Sequence, residues 1–326
     1  MEFINADPGL QIPVTSFVPP TPSRSRPAPA LARGYLIWLI PCAGVLALSD
    51  FVPTDGELAR VFSPVFVAGF LLVAGYALSR HLAEVEPLLA DHHSRRRRLL
   101  LGGLLAWGLL CWVGRQSAEI RPAIHLLNTA HLLVMGNLLG GWLVAPLRRM
   151  SELIPLGAVL VMADLFSVFR GPSKEIAKTL EAFYRSGMAG PAPLVDFLIL
   201  RIPLPGSAHL LPVFGVSDWI AVAFLCAAAL RFGVRDNLVG PDPRPGEPAP
   251  VFFPAAVAGL LAAILLAWTV DAFIPALPVV VFVFLLITAL RCPAGLRPTR
   301  EDWKLLGGTV VVMGVLLGVG GWVAGE

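Results

Sequence analysis

Runs of apolar residues long enough to cross a bilayer recur along nearly the whole chain, and they leave few folds open. Inside a hydrocarbon layer no water reaches the backbone N–H and C=O groups, so a spanning segment closes its own hydrogen bonds as a helix. About 17–25 apolar residues make one crossing. The pattern predicts nine such helices, near 34–53, 61–79, 99–114, 123–145, 152–170, 208–231, 251–271, 274–291 and 304–324. Composition agrees, with 56% hydrophobic and 14% charged residues among 326 and a mean hydropathy of +0.75. A soluble domain carries about 25% charged residues. The expected class is an all-α, polytopic integral membrane protein.

Two acids interrupt these runs. Asp164 and Asp218 each stand inside a separate apolar segment, where an ionisable side chain costs at least about 2.5–3.5 kcal/mol and by default marks a functional site. Asp164 lies six residues before Arg170, where one run ends, and Asp218 lies nine residues after His209, where the next begins. At 1.5 Å per residue both fall roughly 9–13 Å from the same membrane face. Consecutive spans run antiparallel, so the two carboxylates can meet at a common depth.

The rest of the chain divides around them. Residues 1–33 are rich in Pro and polar groups and read as a disordered tail without a signal sequence. Residues 34–150 hold four spans, 151–291 hold the acid-bearing core with a long loop at 171–207, and 292–326 add a last helix. Net charge is only +3, and the arginines cluster beside apolar runs, which gives no support to a nucleic-acid partner. Cys42, Cys111, Cys226 and Cys292 are scattered without a CxxC and read as small packing residues. Gly102-Gly103, Gly140-Gly141 and Gly307-Gly308 read as points of close helix approach.

Positive residues favour the cytoplasmic side. With the N-terminus inside, 17 of the 25 Lys and Arg residues fall there. Five of the other eight, Arg170, Lys174, Lys178, Arg185 and Arg201, occupy the 171–207 loop or its edge and oppose that orientation. Within the loop, Pro172–Arg185 is charged and helix-like, Gly187–Pro193 breaks it, and Val195–Ile202 is too short to span and rich in β-forming residues. That strand, with Leu198 and Leu200 on it, is a candidate edge for an extended peptide; an interfacial piece without function is the alternative.

Three fragments then resemble one family. Val161-Met162-Ala163-Asp164-Leu165-Phe166, with Gly171-Pro172 following, resembles the first catalytic helix of presenilins and signal peptide peptidases. Gly215-Val216-Ser217-Asp218 resembles the Gly-x-Gly-Asp motif of their second. Pro275-Ala276-Leu277, one span later, resembles the Pro-Ala-Leu motif that opens their last core helix. The order and the single intervening span match, over about 145–290. Ala163 stands where the family has Tyr, and Ser217 where it has Gly. The long acidic presenilin loop is not evident, so the resemblance is to a single-chain, prokaryotic-type member in the cell membrane.

This resemblance implies an intramembrane aspartyl protease without metal or cofactor, acting on single-span or remnant signal peptides. Asp164 and Asp218 would be catalytic, with Gly215, Ser217, Pro275, Ala276, Leu277, Leu198 and Leu200 supporting the substrate. Two carboxyl groups sharing one proton can activate a water and protonate the leaving nitrogen. Membrane lipids are expected partners, with His92-His93 and Arg95–Arg98 meeting anionic headgroups. A homo-oligomer is left open.

Other readings compete. Paired membrane acids also serve proton-coupled transporters, and a Pro-broken helix like 274–278 recurs in them; no internal repeat accompanies it here. A catalytically silent scaffold with the same fold is a third. His125, Asn128, His131 and Asn137 along the fourth span suit interhelical hydrogen bonding better than a metal, since no HExxH pattern or carboxylate accompanies them. Asp50 and Asp271, at span ends, read as interfacial.

Overall fold

The computed structural model describes residues 27–49, 56–90, 92–117, 119–169, 172–188, 190–207, 210–270 and 274–323. Most of them are helical: α1 (Pro27–Ser49), α2 (Gly56–Arg80), α3 (Glu86–Leu89), α4 (His93–Gln116), α5 (Arg121–Val144), α6 (Leu153–Phe169), α7 (Pro172–Arg185), α8 (Val216–Arg231), α9 (Ala255–Val270), α10 (Ala276–Arg291) and α11 (Arg300–Val323). A π-helical turn, His81–Val85, joins α2 to α3. Two short strands, β1 (Ile199–Ile202) and β2 (Leu211–Gly215), form an antiparallel pair before α8.

Among the described residues, five helical segments are long and apolar enough to cross a bilayer: Pro27–Leu48, Phe62–Leu89, His93–Gln116, Arg121–Val144 and Met150–Val168. α9 and α10 are apolar but shorter. The outer faces are those of a membrane protein. On α4, Leu101, Leu104, Leu105, Leu109 and Trp112 are all more than half exposed, a stripe that only lipid would cover at low cost.

Several boundaries differ from the sequence expectation. α1 begins at Pro27, inside the segment expected to be tail; residues 1–26, Asp50, Arg170, His209 and Asp271 lie outside the described residues. α4 extends back through Arg95–Arg98; Arg95, Arg97 and Arg98 stand at the surface, whereas Arg96, expected among the headgroup-facing arginines, is buried and donates to Glu86 Oε1 at 2.6 Å. The expected 208–231 span is shorter than predicted: α8 starts only at Val216, and 211–215 is strand. Pro212 cannot donate inside a helix and Gly215 favours its end, while pairing with β1 satisfies the backbone instead. Likewise 251–254 is non-helical, with Phe253 N–H donating to Asn237 Oδ1 at 3.0 Å.

α5 is the central element, packed against α8, α4 and α1. A Cβ placed on Gly140 would meet the Phe224 backbone nitrogen at 2.6 Å, so α5 and α8 touch backbone to backbone there. Gly259 makes a similar approach from α9 to Val280 of α10, at 2.8 Å from its Cα. Gly102, Gly307 and Gly308 have no such neighbour within 4 Å. Gly140→Val and Gly259→Val are each expected to cost about 1–3 kcal/mol or more through overpacking, and Gly102→Val almost nothing. Thermal unfolding in detergent reads the difference.

Polar side chains fix how these helices rotate against one another. Tyr35 OH hydrogen bonds with His131 Nδ1 at 2.7 Å, and His131 Nε2 meets Gly103 O at 2.9 Å. Trp219 Nε1 donates to Asn137 Oδ1 at 2.9 Å, and Asn128 Nδ2 to Phe197 O at 2.8 Å. Each such bond between membrane helices is worth about 0.6 kcal/mol on average, so they specify orientation more than they add stability. Cys42, Cys111 and Cys226 are buried free thiols.

The α8–α9 connection is ordered around a buried acid, Asp236, and a buried amide, Asn237. Asp236 is buried and its Oδ1 accepts the Ala255 N–H at 3.0 Å, capping α9. Burial pushes its carboxyl up to about 7, neighbouring Asp242 acts the same way, and the Ala255 N–H, Cys226 and Arg291 offset this only in part. The folded chain therefore holds this proton more tightly than the unfolded chain, whose carboxyl titrates near 3.8. The contribution to stability is full below about pH 4 and falls as pH rises towards about 7. Asp236→Asn keeps an acceptor for Ala255. It should flatten that decline and raise the unfolding temperature at pH 8 relative to wild type; a lower value at pH 8 would contradict this.

Candidate active site

Asp164 sits near the C-terminal end of α6, five residues before Phe169, and Asp218 in the first turn of α8. The second position follows from the strand. Because β2 ends at Gly215, α8 opens directly after it and Asp218 occupies the third helical position. Its Oδ2 accepts the Gly215 N–H at 3.0 Å, a carboxylate reaching back to satisfy an orphan donor at the helix start. Asp164 is held across helices: its Oδ2 accepts the Leu277 N–H at 3.0 Å. Leu277 is the second residue of α10, after the N-cap Pro275, so its N–H has no intrahelical acceptor.

Both carboxylates line one cavity of about 530 Å³, bounded by α6, α7, the hairpin, α8, α9 and the start of α10. They are near enough for the charge of Asp164 to act on Asp218. Both are half-buried. Around them the walls are mostly apolar: Leu260, Ala263, Ile264 and Ala267 come from one face of α9, and Ile176, Ala177 and Leu180 from α7. An apolar cavity with two convergent acids can hold an extended or unwound peptide and a water.

Of the residues singled out from sequence, Asp164, Asp218, Gly215, Ser217, Pro275, Ala276 and Leu198 line this cavity. Leu277 reaches it through its backbone N–H while its side chain is buried. Leu200 does not line it; it is 1% exposed and belongs to the core. The reason is a change of backbone within the segment. Leu194–Leu198 is a 3₁₀ turn and the strand begins only at Ile199, so Leu198 and Leu200 do not share a strand face; Leu198 and Ile199 face the cavity instead.

The structure adds a buried polar network behind the hairpin. Arg201 Nη2 donates to Asp196 Oδ1 and to Tyr184 OH, the latter at 2.6 Å, and Tyr184 OH donates to Asp196 Oδ1 at 2.6 Å. His125 Nε2 lies 3.2 Å from Asp196 Oδ2. Burial alone would raise the Asp196 carboxyl, but His125, Arg201 and Tyr184 together hold it below the usual carboxylate range. Arg121 secures the following turn, donating to Met188 O at 3.1 Å and Gly190 O at 2.9 Å. Tyr184 also lines the cavity, so this network ties α7, the hairpin and α5 into one wall. No sequence motif announces it; the mixed signs of Asp196 and Arg201 five residues apart were the only trace.

No protein-family model matches the chain, and no curated protein or solved structure matches it either. Among the described residues no group of three or more His, Cys, Asp or Glu is placed to hold a metal ion.

Proposed function

We propose that this chain is an intramembrane aspartyl protease of the presenilin and signal peptide peptidase type, hydrolysing peptide bonds of single-span segments or remnant signal peptides. One observation carries the reading: Asp164 and Asp218, from different helices, line one largely apolar cavity within electrostatic reach of each other. The ordered motifs around Asp164, Asp218 and Pro275 agree with it.

In this reading the pair shares one proton and acts as a unit. The ionised member takes a proton from a bound water, which attacks the scissile carbonyl. The protonated member donates to the carbonyl oxygen and later to the leaving nitrogen. The Leu277 and Gly215 N–H groups each hold one carboxylate oxygen, which limits the geometries the pair can adopt. A substrate helix must unwind to expose its carbonyl. Among the described residues β2 pairs only with β1, and its other edge favours receiving it, since Pro212, Val213, Phe214 and Gly215 line the cavity. The β1 edge is already engaged by α5, with Arg201 N–H donating to Thr129 Oγ1 at 3.1 Å. This moves the receiving strand from the 195–202 segment expected from sequence to 211–215.

The same proposal includes nine spans, with α8 to α11 completing the count, and a cytoplasmic N-terminus in a prokaryotic cell membrane. Arg121 and Arg201 are buried and tied to protein groups, so neither stands as a surface charge against that orientation. The test is purified protein in liposomes with a single-span peptide and no added metal. Two complementary fragments with a defined new terminus are expected. Proton-coupled flux without cleavage would transfer the case to the transporter.

A further inference from the structure

The ends of α8 and α10 opposite the acids carry a second cavity, of about 790 Å³. Three arginines line it: Arg235 and Arg244 from the α8–α9 connection and Arg291 from the last turn of α10. Arg291 is structural as well as cationic, since its Nη1 donates to Arg235 O at 2.8 Å and Asn237 O at 3.0 Å. Arg235 is exposed, and among the described residues its guanidinium has no hydrogen-bond or ion-pair partner. Arg244 has only a surface pairing with Glu247 at 3.7 Å.

The floor beneath them is built. Asp242 Oδ1 accepts the N–H groups of Asp236 and Asn237 at 3.1 and 2.9 Å, which engages the one acid lining the cavity. Asn237 Nδ2 donates to Pro241 O and Val251 O at 2.7 and 2.8 Å. A basic loop that served only as a topology signal would need charge and no shape. Here the charge surrounds a bowl whose backbone is pinned on several sides. Exposed apolar side chains flank it: Leu238, Val239, Val251 and, beside Arg291, Leu290, which is 75% exposed. Such a rim belongs at the acyl boundary, which sets the bowl at the depth of lipid headgroups.

We propose that this bowl binds a phosphate group at the membrane surface, carried by an anionic phospholipid or by a small phosphorylated solute. Arginine suits phosphate because its planar fork matches two phosphate oxygens. The apolar rim favours the lipid as the source. The site is separate from the acids and does not depend on the protease reading.

The test uses the full chain in neutral detergent, titrated with short-chain phosphatidylglycerol, with phosphatidylcholine of equal chain length, and with inorganic phosphate. Binding is read by native mass spectrometry and by the shift in unfolding temperature. Arg235→Ala and Arg244→Ala spare the Arg291 contacts that hold the loop. Each should weaken phosphatidylglycerol binding about fivefold, the worth of one basic side chain at an anionic surface. The variant Arg115→Ala, which removes an exposed charge from the last turn of α4, should change it little. A response to phosphatidylglycerol alone identifies the lipid as source; a response to inorganic phosphate as well, or only to it, identifies the phosphate group itself. Equal loss from the α4 variant, or a wild type that responds to neither phosphate-bearing anion beyond the phosphatidylcholine level, would overturn the proposal.

Discussion

Asp164→Asn and Asp218→Asn should each reduce cleavage of a single-span peptide by roughly 10²–10⁴-fold or more, the range lost with a general acid or base. Asparagine retains a carbonyl oxygen for the Leu277 or Gly215 N–H, so the backbone contacts survive and only the ionisable group is removed. The loss should therefore fall on kcat, with substrate binding and the unfolding temperature held near wild type. Because the pair acts as a unit, the double variant should be no worse than the poorer single variant. Residual turnover above that level in both single variants would remove the dyad from the mechanism.

Arg201→Ala is expected to produce the largest loss of stability. Arg201 is 4% and Asp196 0% exposed, and removing one partner of a buried ion pair leaves an uncompensated charge at a cost of about 3–5 kcal/mol. Arg201→Lys should recover only part of it, because a single ammonium cannot hold Asp196 and Tyr184 and also reach the Leu210 carbonyl, which Arg201 Nη1 engages at 3.4 Å. Adding Asp196→Asn to the alanine variant should restore more, by removing the stranded charge. Unfolding in detergent measures each step. Where Arg201→Ala still folds, activity should also fall, since Tyr184 and α7 lose the anchor that holds them as a cavity wall.

The sequence carried the helices and the two acids because both signals are local. An apolar run marks a helix by length alone, although among the described residues only five of the nine expected spans are long and apolar enough to cross a bilayer, and a carboxylate inside such a run declares itself by cost. The α9 wall was not singled out from sequence, although Leu260, Ala263, Ile264 and Ala267 repeat at helical spacing. What stayed hidden depends on partners distant in the chain. Leu211–Gly215 has the apolar content of a helix start, and only pairing with Ile199–Ile202 makes it a strand. Leu200 looked equivalent to Leu198 until the 3₁₀ turn broke the alternation. Arg201 counted as a charge on the loop, whereas it is buried against Asp196, Tyr184 and the Leu210 carbonyl. His125 and Asn128 read correctly as hydrogen-bonding groups, but their partners, Asp196 and Phe197, lie about seventy residues on.

The separation of the Asp164 and Asp218 carboxyl groups, measured in an experimental structure of the chain in a lipid bilayer, bears most directly on the proposed mechanism. Side chains about 3–6 Å apart around one bridging water are the predicted result, since each must reach the same water by a hydrogen bond. A separation above about 10 Å, with or without a bound substrate peptide, would contradict it.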